Sequence, residues 1–178
     1  DFEACALELE GAGAAALSVL TERNYFLGSL EFLRRTIELV KIPVLRKDFI
    51  FDPYQIYEAK AAGASAVLLI AAMLDDNRLH ELADTAGEAG LAVLGEAHDE
   101  KEIGRLLKTP IGIIGVNARN LNTFQTDLGR VEKLLALANS EDVEAIQIGV
   151  FGVQNVNARP QLILTYKGVE VANIEMDF

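Results

Sequence analysis

The sequence predicts an α/β fold of the parallel kind, a TIM-type (βα)8 barrel, with an open parallel α/β sheet as the alternative. Three observations predict it. Short, nearly continuous apolar runs recur along the 178 residues, as in strands buried on both faces of a parallel sheet and unlike the alternation of half-exposed antiparallel strands. Amphipathic segments separate the runs, so strand and helix alternate and right-handed crossovers join the strands. Polar residues gather at the C-terminal ends of the runs: Thr21 and Glu22, Arg46 to Asp48, Glu96 and His98, Asn117 and Arg119. Groups from successive strands converge on one mouth when the strands curve round a common axis, which favours the barrel over the doubly wound sheet.

The elements follow in order. "GAGAAA" (11–16) is a helix-to-strand turn; it fails as a nucleotide-binding glycine loop because Ala16 stands where the third glycine belongs and the segment precedes a strand. The strands are "AALSVL" (15–20), "IPVLRKDF" (42–49), "SAVLLIA" (65–71), "LAVLGEA" (91–97) and "IGIIGVN" (111–117). Between them, helical spacing of apolar residues marks 26–40, 52–63, 75–90, 99–109 and 127–139, several opened by Asp or Ser as caps. Beyond residue 140 the pattern weakens. Residues 143–153 still read as a strand, while the stretch that follows, with Pro160 and Gly168, reads as irregular last units or a local hairpin. With no linker or low-complexity segment, residues 1–178 read as one domain.

Composition bounds the function. The chain is 51% apolar, enough for a sizeable core. Twenty-seven acidic residues against 16 basic ones give a net charge of −11 with no Lys/Arg-rich run, which excludes nucleic acid and anionic membrane surfaces as partners. An anionic ligand must then be held by a few local cations. The first residues, "DFEACALELE", carry no basic n-region and no apolar h-region. The longest apolar stretch, "AVLLIAAML" (66–74), is far short of the roughly 20 residues that span a bilayer. The lone Cys5 excludes an intrachain disulfide or CxxC pair and reads as a small buried group in a helix. A cytoplasmic location is the expectation. His80 falls on a solvated helix face, and His98 has no second histidine at ligand spacing, so no metal site is expected.

Lys47, Glu96 and Asn117 stand at three strand ends and supply an acid, a carboxylate and a neutral hydrogen-bonding group. A lysine there is a usable proton donor when partly desolvated, and a carboxylate across the mouth can shuttle protons. The alternative for Lys47 is a surface ion pair with Asp48, and for Glu96 a solvated loop carboxylate.

The strings "LSVLTERNYFLGSLEFL", "IPVLRKDFIFDPYQIYEAKAAGASAVLLIAA", "GLAVLGEAHDE" and "IIGVNARNLNTFQTDL", in this order and spacing, resemble the indole-3-glycerol phosphate synthase family, the barrel enzymes of tryptophan biosynthesis. The resemblance is dense from about residue 10 to 130. It implies a carboxy-lyase that closes the indole ring of 1-(o-carboxyphenylamino)-1-deoxyribulose 5-phosphate with loss of CO2 and water, using neither metal nor organic cofactor. On the matching motifs, Lys47 is the general acid that protonates the substrate carbonyl and Glu96 takes part in later proton transfers. Asn117 and Arg119 line the substrate pocket. Phe26, Phe49 and Leu121 fall where the family packs the anthranilate ring, and Ser18 and Leu20 fall in its "SVLTE" strand. The cationic cluster of "PVLRKDF" then serves a substrate bearing a carboxylate and a phosphate.

Departures accompany the resemblance. The family's first strand, with its E-x-K-x-x-S-P-S-type segment and lysine, has no counterpart in the 178 residues, which are expected to open in the first helix. Gly95 in "LGEAHDE" replaces a β-branched residue. "QIGV", with Gln147 and Ile148, replaces "ESGI", and "KGVEVANIEMD" offers Glu175 and Asp177 where a "GES"-like phosphate loop is usual. The expectation is an incomplete or rearranged barrel with atypical last strands: an altered or truncated synthase, weak or inactive, that can pair with itself through open sheet edges. The other expectation is a non-catalytic α/β scaffold, engineered or decayed, associating through the same edges.

Overall fold

A computed structural model describes residues 1–117, 133, 134, 136 and 137, and the backbone of 144–145, 150–152, 161–166 and 169–175. The chain runs α1 (Phe2–Gly11), β1 (Leu17–Leu20), α2 (Leu30–Leu39), β2 (Val44–Lys47), α3 (Pro53–Ala61), β3 (Ala66–Ile70), α4 (Asp76–Glu88), β4 (Ala92–Ala97), α5 (Glu100–Leu106) and β5 (Ile113–Val116). A 3-10 turn, Ala71–Met73, links β3 to α4. Short strands β6 (Glu144–Ala145) and β7 (Val150–Gly152), then β8 (Gln161–Tyr166) and β9 (Val169–Glu175), follow.

Acidic residues build the helix starts. Asp1, Asp52, Asp75 and Asp99 cap α1, α3, α4 and α5, and Ser29 caps α2, each side chain accepting a backbone N–H of the first turn. Asp52 and Gln55 complete a capping box with Pro53 in the first turn of α3. At the other end, Gly63 and Gly90 take φ of +91° and +67°. The N–H of the residue after each reaches back to the Ala59 and Ala86 carbonyls at 3.0 and 2.8 Å, closing the helix and aiming the chain into the next strand.

Strands β1 to β6 form a parallel sheet in consecutive order. A doubly wound sheet reverses its strand order at a switch point and carries helices on both faces. Here no reversal occurs, and crossovers of one hand place the helices on one face, which is barrel winding. Among the described residues no strand pairs with the outer edge of β1, so the six strands are an open arc of a barrel. The apolar stripes of α2 to α5, carrying Leu33, Ile56, Leu79, Leu82, Ile103 and Leu106, are buried together with Val44, Val67, Leu69, Val93 and Ile114 of the sheet. Each such side chain contributes roughly 1.5–3 kcal/mol by burial.

Two expectations need correction. Cys5 lies in α1 as expected but is exposed, because this helix buries only Ala6. Of residues 143–153, read as one strand, the described ones pair in two different sheets: Glu144–Ala145 extend the parallel sheet beside β5, while Val150–Gly152 pair antiparallel with β8. The partner decides, since β8 and β9 form an antiparallel hairpin that offers residues 150–152 a different edge. The helix read at 127–139 falls mostly outside the described residues, of which 133, 134, 136 and 137 are helical.

Candidate functional site

Sheet register places the candidates. Side chains alternate between faces along a strand, and laterally paired residues share a face. Ser18 pairs with Leu45 and Leu20 with Lys47; Leu45 pairs with Ala66; Ala66, Leu68 and Ile70 pair with Ala92, Leu94 and Glu96; Glu96 pairs with Gly115. Asn117, two residues on, continues the ladder by donating its N–H to the Ala97 carbonyl at 2.9 Å. Ser18, Leu20, Lys47, Glu96 and Asn117 therefore share the face opposite the helices, three of them at its C-terminal rim. Ser18 is exposed, and the other four are half-buried. Leu68, 3% exposed, lies on the same face and went unread because its apolar run marked it only as core.

The same alternation separates the cations of "LRKD". Arg46 faces the helices and is 3% exposed. Its Nε donates to Thr21 Oγ1 at 3.0 Å, Nη1 to the Gln55 carbonyl at 2.8 Å and Nη2 to Asp48 Oδ2 at 3.0 Å, and Nη1 pairs with Glu58 Oε2 at 2.9 Å. Thr21 Oγ1 donates to Asp48 Oδ2 at 2.5 Å. The cluster thus does not act as one: Arg46 is committed to the fold, because a buried guanidinium must have its charge and donors matched. Asp48 is committed with it, so Lys47 makes no ion pair with Asp48 and none with any other described residue.

Two loops bring the aromatic candidates together. Phe26 and Phe49 face one another with ring centroids 6.1 Å apart at 55°, each partly exposed at 51% and 37%, an arrangement that favours a third ring. Sequence reasoning missed the residues that hold them. Glu22 accepts the backbone N–H groups of Asn24, Tyr25 and Phe26 at 2.8, 2.7 and 3.0 Å. Partial desolvation pushes its carboxyl up, but these N–H groups together outweigh that and hold it below the usual carboxylate range. Gly28 closes the same loop with its N–H to the Glu22 carbonyl at 2.7 Å. Gln55 donates to the Phe49 carbonyl at 2.9 Å and accepts from the N–H of Phe51 and Asp52 at 2.9 and 3.1 Å; the Asp-Pro-x-Gln spacing of a capping box was its signal.

At the other side of the mouth, Asn117 Nδ2 donates to Glu96 Oε1 at 3.1 Å. His98 Nε2 lies 3.5 Å from the same oxygen. Lys47, a carboxylate held by a carboxamide and, on the adjoining loops, an aromatic pair thus stand along one rim, residue types able to donate protons, accept them and bind an aromatic anion. Arg119 and Leu121 lie outside the described residues, as do Gln147, Ile148 and Asp177 of the departures noted above. Among the described residues no three His, Cys, Asp or Glu side chains form a group that could hold a metal ion, and no helix is long and apolar enough to cross a membrane.

Comparison with known proteins adds a family. The sequence model of indole-3-glycerol phosphate synthase matches residues 1–165. A protein of that name from Endomicrobium trichonymphae is 50% identical over 149 residues, 84% of this chain and 58% of the relative. One from Lachnospira eligens is 51% identical over 131 residues, 74% of this chain and 49% of the relative. One from Leuconostoc mesenteroides is 47% identical over 150 residues, 84% and 57%. The chain spans about half the length of the curated relatives it matches.

Proposed function

Because the chain belongs to the indole-3-glycerol phosphate synthase family, we propose that it acts as a cytoplasmic carboxy-lyase. The reaction closes the indole ring of 1-(o-carboxyphenylamino)-1-deoxyribulose 5-phosphate with loss of CO2 and water. The observation that carries the reading is the shared sheet face: Lys47, Glu96 and Asn117, far apart in sequence, stand on one side of one rim with Leu20 and Ser18.

On this reading Lys47 gives its proton to the substrate carbonyl as the anthranilate carbon attacks. Among the described residues it has no ion-pair partner, which keeps that proton available for the substrate. Glu96 takes and returns protons in the steps that follow, its carboxylate aimed by Asn117. Phe26 and Phe49, packed on one another, offer their exposed ring surfaces to the anthranilate ring, an aromatic contact worth about 0.5–1.5 kcal/mol beyond area burial. Arg119 and Leu121 complete the pocket by resemblance alone.

Titration with the ribulose-phosphate substrate, followed by indole fluorescence, tests the proposal. Turnover that disappears in Lys47→Ala supports it. Binding without turnover leaves a ligand site but not a lyase, and no binding at millimolar substrate overturns the reading. A second reading has one observation in its favour: among the described residues the outer edge of β1 carries no partner strand, and an open parallel edge is a template for a second copy. A concentration-dependent dimer by sedimentation, broken by Ser18→Pro, whose backbone N–H points away from β2 because those of Leu17 and Thr21 point toward it, would support that scaffold reading.

A further inference from the structure

His98 is held between two carboxylates. Glu102 Oε2 accepts the His98 backbone N–H at 2.7 Å and lies 3.2 Å from Nδ1. An ionised carboxylate only accepts, so Nδ1 carries a proton and donates it to Glu102. Among the described residues Nε2 is left buried and without a hydrogen bond, 3.5 Å from Glu96 Oε1. The side chains of His98 and Glu96 are 12% and 17% exposed. A bare imidazole nitrogen and a carboxylate oxygen are both acceptors, and in a site this dry two facing lone pairs are unfavourable. One proton between them removes the conflict.

We propose that His98 is the proton partner of Glu96, one proton residing on Glu96 Oε1 or on His98 Nε2 and passing between them as the pair closes from 3.5 Å. The groups that face the pair fit this. From the end of β5, Asn117 Nδ2 donates to Glu96 Oε1. From α5, Glu102 holds Nδ1, and its own backbone N–H is held by Asp99 Oδ1 at 2.8 Å, so the acceptor behind the imidazole is fixed. Among the described residues, neither Glu96 nor Glu102 forms an ion pair with a lysine or arginine that would take the place of His98. The role in turnover rests on the reading of Glu96 as a proton-transfer group. In the step itself, the Glu96 O–H bond breaks and the His98 Nε2–H bond forms, leaving a carboxylate and an imidazolium whose Nδ1–H stays on Glu102. The reverse step restores Glu96 as an acid with no water needed. His98 touches no substrate and is a positioning residue for Glu96.

The test is 15N spectroscopy of the imidazole at neutral pH in the parent chain and in Glu96→Gln. The expected parent spectrum has Nε2 in the protonated or shared-proton range. In Glu96→Gln it moves to the range of a bare nitrogen, because a carboxamide donates to it, while Nδ1 stays. A bare Nε2 in the parent, or an Nε2 signal that Glu96→Gln does not move, overturns the proposal. In a chain that turns over, His98→Gln should lower kcat by about 10²–10⁴-fold with KM unchanged; a raised KM with kcat intact would mean a structural role only. A shared proton without turnover sinks the synthase reading and leaves the pair standing. Turnover with a bare Nε2 does the reverse.

Discussion

Arg46 and Lys47 are adjacent in β2 and point to opposite faces of the sheet: Arg46 lies 3.0 Å from Asp48 and 2.9 Å from Glu58 on the helix side, while Lys47 pairs laterally with Leu20 on the other. One cation holds the fold and the other faces the rim. Truncating Arg46 leaves two carboxylates and the Thr21 hydroxyl without their buried partner. Arg46→Leu should therefore cost about 3–5 kcal/mol in urea unfolding, the range for breaking a buried pair from one side. Lys47→Met should leave stability within about 0.5–1 kcal/mol while removing turnover. Equal losses in the two variants would contradict the division of roles.

Glu22 predicts a pH dependence. Its carboxyl titrates below the usual range in the folded chain, its partial desolvation outweighed by the N–H groups of residues 23 to 26. A depressed folded value means that the stabilisation is fully present above the unfolded value and is lost as pH falls through the folded one. The loss thus begins near pH ~4.3, where a free glutamate titrates, and continues downward. Asp76, lowered by its hydrogen bond from Arg105, shifts in the same direction in parent and variant alike and cancels in the difference. The stability gap between parent and Glu22→Gln, read as urea midpoints, should be widest at neutral pH and close in acid. A gap that is constant with pH would show that the carboxylate does not hold the Phe26 loop.

Gly28 tests the same loop sterically. A Cβ at this position would collide with the Leu20 carbonyl oxygen and come within 2.9 Å of the Thr21 backbone nitrogen. These are backbone atoms of β1 and its end, held by the Thr21 N–H to the Lys47 carbonyl at 3.0 Å, so the loop must give way. Gly28→Ala should cost about 1–3 kcal/mol, as overpacking does, and should weaken substrate binding by displacing Phe26. Gly11→Ala, with nothing within 4 Å of the new methyl, serves as the control, gaining roughly 0.5–1 kcal/mol at the end of α1 if it changes stability at all.

The residues that were legible in the sequence are those whose role is local or periodic. Continuous apolar runs gave strands 44–47, 66–70, 92–97 and 113–116 to within about two residues, because a strand covered by helices needs no polar face. Asp52, Asp75 and Asp99 announced their helices because a cap is a short-range bond. The split of Arg46 from Lys47 was implicit in the two-residue period, yet charge alone grouped them. His98 and Glu22 were illegible as supports: the first depends on Glu96 and Glu102 meeting across β4 and α5, the second on a loop conformation with Leu27 at φ +53° that no spacing announces.

Gly95 carries the last prediction. A β-branched residue was expected at this position, and the glycine looked like lost packing. It is not an empty place: a Cβ there would meet Leu106 Cδ2 at 2.8 Å and Ile111 Cγ2 at 3.2 Å, and both residues are buried, Leu106 completely. The volume that a side chain on β4 would fill is occupied from α5 and the segment leading into β5. Gly95→Val alone should therefore destabilise by about 1–3 kcal/mol through overpacking. Leu106→Ala alone should cost about 2–5 kcal/mol through the cavity it leaves. Together they exchange one apolar group for another across the same contact, so the double variant should be more stable than the sum of the single losses predicts, with a coupling of roughly 0.5–3 kcal/mol by urea unfolding. Strict additivity would mean that Leu106 does not occupy the site of the missing side chain, and that the strand reached its glycine by some route other than a compensating exchange with α5.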